Sequence, residues 1–268
     1  MVSILPWGRK PPTIPILRLE GLIANRGRAG RGLSLAALEA PLEKAFSLKR
    51  SPAVALAINS PGGAPVQSSL IVARIRELAE RRKKRVLAFI EDVGASGGYM
   101  LACAGDEIFC DASSLVGSIG VIGGGFGLSE LAAKLGVERR VYTAGVRKNR
   151  LDPFAPERPE DVARYDELLK DIHTAFIDLV RARRGDRLKA HPLLFEGEVF
   201  TGAEAVRLGL ADGLGEVRAT LRARYGPKVR LKATAPRQPP LLQRLLGGAA
   251  EEALEALETR LAYARLGL

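Results

Sequence analysis

Ala53–Gly63 reads AVALAINSPGG, and Arg85–Met100 reads RVLAFIEDVGASGGYM. Each opens on an unbroken apolar run, Ala53–Ile58 and Val86–Ile90, and then breaks into a turn with paired glycines. A run without polar alternation suits a strand buried on both faces, which is the usual state of a strand in a parallel sheet covered by crossover helices. The stretch between the two runs, from about Pro65 to Arg82, has helical composition. The basic run Arg81, Arg82, Lys83, Lys84 and Arg85 at its end suits the negative pole of a helix dipole.

Outward from this unit the alternation continues. Ile14–Ala24 (IPILRLEGLIA) has the pattern of a strand. Ser34 is placed to cap a helix carrying Leu35, Leu38, Leu42 and Phe46. Ser96–Ala104 reads as a short helix, Glu107–Cys110 as a strand, Leu128–Leu135 as a helix and Arg140–Thr143 as a strand. Strands alternating with helices at this spacing predict βαβ units and a parallel sheet. After Pro159 the period changes: Val162, Tyr165, Leu169, Ile172, Phe176 and Leu179 share one face of a long helix ending near Arg184. Shorter helices follow at Ala203–Leu208 and Val217–Tyr225. Leu254, Leu257, Leu261 and Leu268 mark a last amphipathic helix opposite Glu251, Glu252, Glu255 and Glu258, whose apolar stripe is expected to be covered either by the protomer's own core or by a neighbouring protomer. The chain divides into an irregular arm over 1–12, one domain over 13–235 and a C-terminal helix over 236–268. Arg26–Gly32 (RGRAGRG) is a loop by composition.

The 268 residues are 47% hydrophobic, 26% charged and 5% aromatic, values that exclude a disordered chain. The net charge of +11 suits anionic partners such as lipid headgroups or nucleic acid. A generally basic proteome accounts for it equally well, and no specific nucleic-acid partner is expected. Cys103 and Cys110 are too few for a disulfide framework and fit a reducing compartment. No secretory signal is read at the N-terminus, where the apolar stretch Met1–Trp7 precedes Arg9 and Lys10 rather than following them. The longest uncharged run, Ala112–Ser129, is interrupted by glycines and falls short of a membrane span. The expectation is a cytoplasmic chain without a transmembrane segment, with peripheral membrane association left open.

Three glycine-rich turns carry the chemistry. Asn59–Gly63 follows the first apolar run. Gly94-Ala95-Ser96-Gly97-Gly98-Tyr99 follows the second and presents a serine on a strand-to-helix turn, the logic of a nucleophile elbow without its spacing. Gly117-Ser118-Ile119-Gly120-Val121 is the third. Paired glycines let backbone N–H groups point outward where a side chain would block approach. None of the turns is a phosphate loop, and Gly123–Gly127 (GGGFG) lacks the lysine such a loop needs. No His/Cys cluster has metal-ligand spacing, and no cofactor is expected. A serine nucleophile needs a base. His173 falls mid-helix and His191 precedes Pro192, neither near the three turns. A lysine serves when its surroundings favour the neutral form. Lys148, in Ala144-Gly145-Val146-Arg147-Lys148 after an expected strand, is the candidate outside the charge runs.

NSPGG at 59–63, GASGGYM at 94–100, GSIGVIG at 117–123 and GEVFTGAEAVRLGLADGLG at 197–215 together resemble the signal peptide peptidase A family. The resemblance runs in order from about Ile14 to Gly215. It implies an α/β, Clp/crotonase-like fold of repeated ββα units, here with a helical C-terminal extension. It also implies a serine endopeptidase with a Ser–Lys dyad, acting on a peptide or protein substrate and assembling as a homo-oligomer. By position, Ser96 matches the nucleophile, Lys148 the general base and Ser118 the residue that orients the lysine. Gly63 and Gly97 match the amides of the oxyanion hole. Clp proteases of the wider superfamily use a histidine downstream of the serine, and this chain has none there. The family carries an N-terminal membrane anchor, and none is read here. Two rival readings remain at this point: an acyl-CoA enzyme of crotonase type, and a non-catalytic binding protein of the same superfamily. Labelling of Ser96 by a serine-directed probe separates them from the peptidase.

Overall fold

In the computed structural model, which describes residues 11–25, 32–234, 257 and 259–267, the two apolar runs lie side by side. The elements in chain order are β1 (Thr13–Glu20), α1 (Leu35–Phe46), β2 (Ala53–Ser60), α2 (Pro65–Arg82), β3 (Arg85–Ala95), α3 (Gly97–Ala102), β4 (Glu107–Cys110) and β5 (Leu115–Gly117). They continue with α4 (Ser129–Lys134), α5 (Pro159–Arg184), β6 (Val199–Thr201), α6 (Gly202–Arg207), β7 (Gly213–Leu214), α7 (Val217–Tyr225) and β8 (Arg230–Thr234). They build one sheet in the order β6-β5-β3-β2-β1-β8, with β4 also paired to β3 and β7 to β4. Every pairing is parallel except β5 with β6.

The sheet is buried on both faces, as its unbroken apolar strands require. Leu17, Leu19, Val54, Leu56, Ile58, Ala88 and Ile90 pack against α1, α2 and α3 through Leu38, Leu42, Ile71, Ile75, Leu78 and Leu101. Ile14, Ala53, Ala55, Leu87 and Phe89 face the other way and meet Leu221 of α7 and Val229. Ser34 caps α1 as expected, its Oγ accepting from the Ala37 N–H at 3.3 Å. After β1 and β2 the chain makes a second short extended contact before each helix: Ile23 bridges in parallel to both Leu33 and Gly63. These units are therefore ββα, the repeat that the family resemblance implies.

The sequence reading needs one correction. Arg140–Thr143 is not a strand; the segment is exposed and has no pairing partner among the described residues. On the apolar stripe of α5 Phe176 is buried, Val162, Tyr165, Leu169 and Leu179 are half-buried and Ile172 is exposed. The last helix is described only at 257 and 259–267, with helix over 259–264. There the Tyr263 hydroxyl donates to the Asn59 carbonyl of the same chain at 3.0 Å. The arm over 1–12, apart from its last two residues, most of the Arg26–Gly32 loop and most of the 236–268 extension lie outside the described residues.

Candidate active site

Parallel strands end on the same edge of a sheet, so the turns that follow β2, β3 and β5 are brought together there. The first turn is knit by the two polar residues at its start. Asn59 donates through Nδ2 to Asp92 at 2.7 Å and accepts from the Val93 N–H at 3.3 Å. Ser60 Oγ donates to the Gly21 carbonyl at 2.6 Å and accepts from the Gly62 N–H at 3.2 Å. The β2–β3 register shifts between Ile58 and Ser60, and Ser60 pairs with Gly94. That shift sets Gly62 directly against the second turn: a Cβ on Gly62 would lie 2.8 Å from both the Gly97 N and the Ser96 Cβ. Gly63, at φ +137°, has its Cα facing the Ile23 carbonyl so closely that no side chain fits. The neighbouring Ile23 N–H and Ala64 N–H are spent on the Gly62 and Ile23 carbonyls. The Gly63 N–H and the Gly97 N–H have no backbone acceptor of this kind among the described residues.

Ser96 sits at the break between β3 and α3 with φ +52° and ψ −123°. A non-glycine residue held at positive φ stores about 1–3 kcal/mol and persists only where its surroundings over-determine it. Here the Ser96 N–H donates to the Gly117 carbonyl at 2.8 Å, and its own carbonyl accepts from the Met100 N–H at 3.0 Å. Behind it α3 is wholly buried, and the Tyr99 hydroxyl donates to the Leu210 carbonyl at 2.9 Å. The side chain of Ser96 is thereby presented at the surface of the edge, half-buried, on a rigid support.

The third turn is joined to the second through that Ser96–Gly117 bond. Ser118 follows, also at positive φ (+49°), with its N–H on the Glu198 carbonyl at 2.7 Å. The structure therefore brings Ser96, Gly97, Gly62, Gly63 and Ser118 into one cluster. It does not bring Lys148 to them through any hydrogen bond among the described residues. The side chain of Lys148 is exposed in a loop. Residues 133–148 are exposed throughout, and the apolar side chains of Ile122, Phe126, Tyr142 and Val146 are 78–92% exposed.

His173 is the residue that sequence reasoning misplaced. Its Nε2 lies 3.0 Å from the Ile119 carbonyl oxygen, one residue beyond Ser118, so it buttresses the third turn; with Nε2 protonated it donates there. Helix periodicity gives the face of α5 that carries it but not which turn that face meets. His191 stays apart, edge-on to Phe200 and lining a cavity of about 540 Å³ with Arg181, Lys189 and Phe195. Cys103 and Cys110 are free and buried, and burial pushes the Cys103 thiol up to about 12. Among the described residues no group of three or more His, Cys, Asp or Glu is placed to hold a metal ion.

The profile of peptidase family S49 matches residues 79–226, which include Ser96, Ser118 and Lys148. The chain belongs to peptidase family S49. A protein of Synechocystis sp. named as a protease is 34% identical to this S49 chain, over 76% of this chain and 75% of its own length. The chloroplastic serine protease SPPA of Arabidopsis thaliana is 31% identical over 75% of this chain and 30% of its own. A Brucella abortus protein named Na(+)/H(+) antiporter NhaA is 56% identical over 88% of this chain. The S49 chain spans only 32% of that relative's length. Among the described residues no helix is long and apolar enough to cross a membrane.

Proposed function

We propose that this chain is a serine endopeptidase working through a Ser–Lys dyad. The observation that carries the reading is Ser96 held at positive φ against Gly62, with the Gly63 and Gly97 amides beside it. Ser96 Oγ attacks the substrate carbonyl carbon as Lys148, unprotonated, accepts the hydroxyl proton. The carbonyl oxygen becomes an oxyanion and takes hydrogen bonds from the Gly63 and Gly97 N–H groups; losing one such donor costs about 10²–10³ in rate. Collapse of the intermediate breaks the C–N bond. The proton passes from Lys148 to the leaving amine, and water then hydrolyses the acyl-Ser96 ester with the same lysine as base. Ser118 orients Lys148. The occupants of the site are peptide or protein chains.

A base of this kind needs cover from water, and the exposed apolar side chains of the 121–160 stretch supply a surface for it. A homo-oligomer that packs on this stretch desolvates the lysine's loop. Ser96→Ala is expected to abolish peptide hydrolysis and labelling by a fluorophosphonate while the circular dichroism stays unchanged. Lys148→Ala and Lys148→Arg are expected to be nearly as inactive, because alanine has no base and arginine stays protonated. Hydrolysis at the wild-type rate in any of the three overturns the dyad.

A further inference from the structure

Between Ile119 and Phe176 the chain has no buried apolar residue, yet two residues in that stretch are buried, and both are aspartates. The side chains of Asp152 and Asp161 are 2% and 4% exposed. A segment without an apolar core must be ordered by something else, and a buried carboxylate is tolerated only when its oxygens are satisfied.

Those of Asp152 are. One oxygen accepts from Arg139 Nε and from Asn149 Nδ2, each at 2.9 Å, and the other from the Phe154 N–H at 3.0 Å. Asp161, in the first turn of α5, accepts from Arg158 Nε at 2.7 Å and faces Arg150 Nε at 3.3 Å. The residues directly after Lys148 are Asn149 and Arg150, so each carboxylate takes one of them. On the other side the loop closes on itself, with the Lys148 N–H on the Gly145 carbonyl at 3.1 Å and Gly145 at φ +98°. Leu151, at φ +50°, carries the chain from one anchor to the next. Lys148 itself has no carboxylate in ion-pair contact among the described residues, since arginines take the two that are near in sequence.

We propose that Asp152 and Asp161 are positioning residues, a pair of buried carboxylates that grip Asn149 and Arg150 and so fix where Lys148 stands. The inference rests on Lys148 being the general base. Loss of one grip leaves the lysine present but displaced, and misplacement of a catalytic group by about 1 Å costs up to about 10²-fold in rate.

The test uses the full-length chain and a fluorogenic peptide. Asp152→Asn is expected to lower kcat about 10–100-fold with KM little changed. A merely structural role leaves kcat unchanged once the rate is taken per folded molecule by circular dichroism. Where Asp152→Asn fails to fold, Asn149→Ala takes its place: it frees the lysine's neighbour while Arg139 and the Phe154 N–H still hold the carboxylate, and the same fall in kcat with little change in KM is expected. An unchanged kcat in the folded variant, beside an inactive Lys148→Ala, overturns the carboxylate grip and leaves the dyad standing. An active Lys148→Ala overturns the dyad itself.

Discussion

Replacing Gly97 with alanine probes the packing of the second turn against α2 and the first turn. The added Cβ would lie 2.5 Å from Ser68 Oγ, 3.1 Å from Ile23 Cδ1 and 3.4 Å from the Gly62 Cα. Non-bonded carbon contacts settle at about 3.5–4.0 Å, so the first of these is far inside contact range and something must yield. The Ser68 hydroxyl is the movable piece, but it is buried and donates to the Ala64 carbonyl at 3.0 Å. Turning it away leaves a buried hydroxyl unpaired, at about 1–3 kcal/mol. If α3 yields instead, the Gly97 N–H shifts from the place where an oxyanion would meet it. Gly97→Ala is therefore expected to lower kcat by about 10²-fold with little change in KM, and to lower Tm. Adding Ser68→Ala removes the offending oxygen and keeps the helix, so the double variant should regain about tenfold or more of the lost kcat, a non-additive pair. Peptide hydrolysis, fluorophosphonate labelling of Ser96 and thermal unfolding are measured on all four chains. A fully active Gly97→Ala refutes the placing of its amide at the reaction centre. A double variant no better than the single refutes Ser68 as the cause.

Ser118→Ala is expected to cost less activity than Ser96→Ala, because its backbone bond to Glu198 survives and only the side chain proposed to orient the base is lost; equal losses by initial-rate assay would place Ser118 in the chemistry itself. The Phe154 N–H, and after it Asn149, hold the Asp152 carboxyl below the usual carboxylate range. Its contribution to order is therefore complete above the unfolded value of about 3.9 and is lost as pH falls through the folded value. Hydrogen exchange over residues 137–154, corrected for its intrinsic pH dependence, should quicken in acid before the β1–β3 core does, and equal protection down to the acid unfolding of the core would refute this.

The central sheet was legible because its strands announce themselves: Ala53–Ile58 and Val86–Ile90 are apolar without alternation, and each ends in paired glycines. The helix Pro65–Arg82 matches its expected bounds. The short strands β5, β6 and β7 escaped because two or three residues carry no period, and β8 because its charges alternate with only one large apolar residue, Leu231. Arg140–Thr143 failed the other way: β-branched residues satisfy local propensity, but a strand needs an edge to pair with. The clustering of Ser96, Gly63, Gly97 and Ser118 followed once the sheet was parallel. What periodicity did not reveal was which surface each residue would meet, so the exposure of Lys148 and the approach of His173 to Ile119 emerged only in three dimensions. The roles of Asp152 and Asp161 were hidden for a related reason: in sequence they look like solvated charges among arginines.

The antiparallel pairing of β5 with β6 has a consequence for how the chain is made. The Ser118 N–H in the third turn finds its acceptor only once the Glu198 carbonyl is in place, and Glu198 is added to a growing chain about a hundred residues after Ser96. At about 5–20 residues per second of synthesis, the nucleophile is formed many seconds before the strand that braces its neighbour. On the proposed mechanism a nascent or prematurely ended chain therefore carries its serine harmlessly. Synthesis therefore supplies the proposed site in the order nucleophile, base and brace, and the brace comes last.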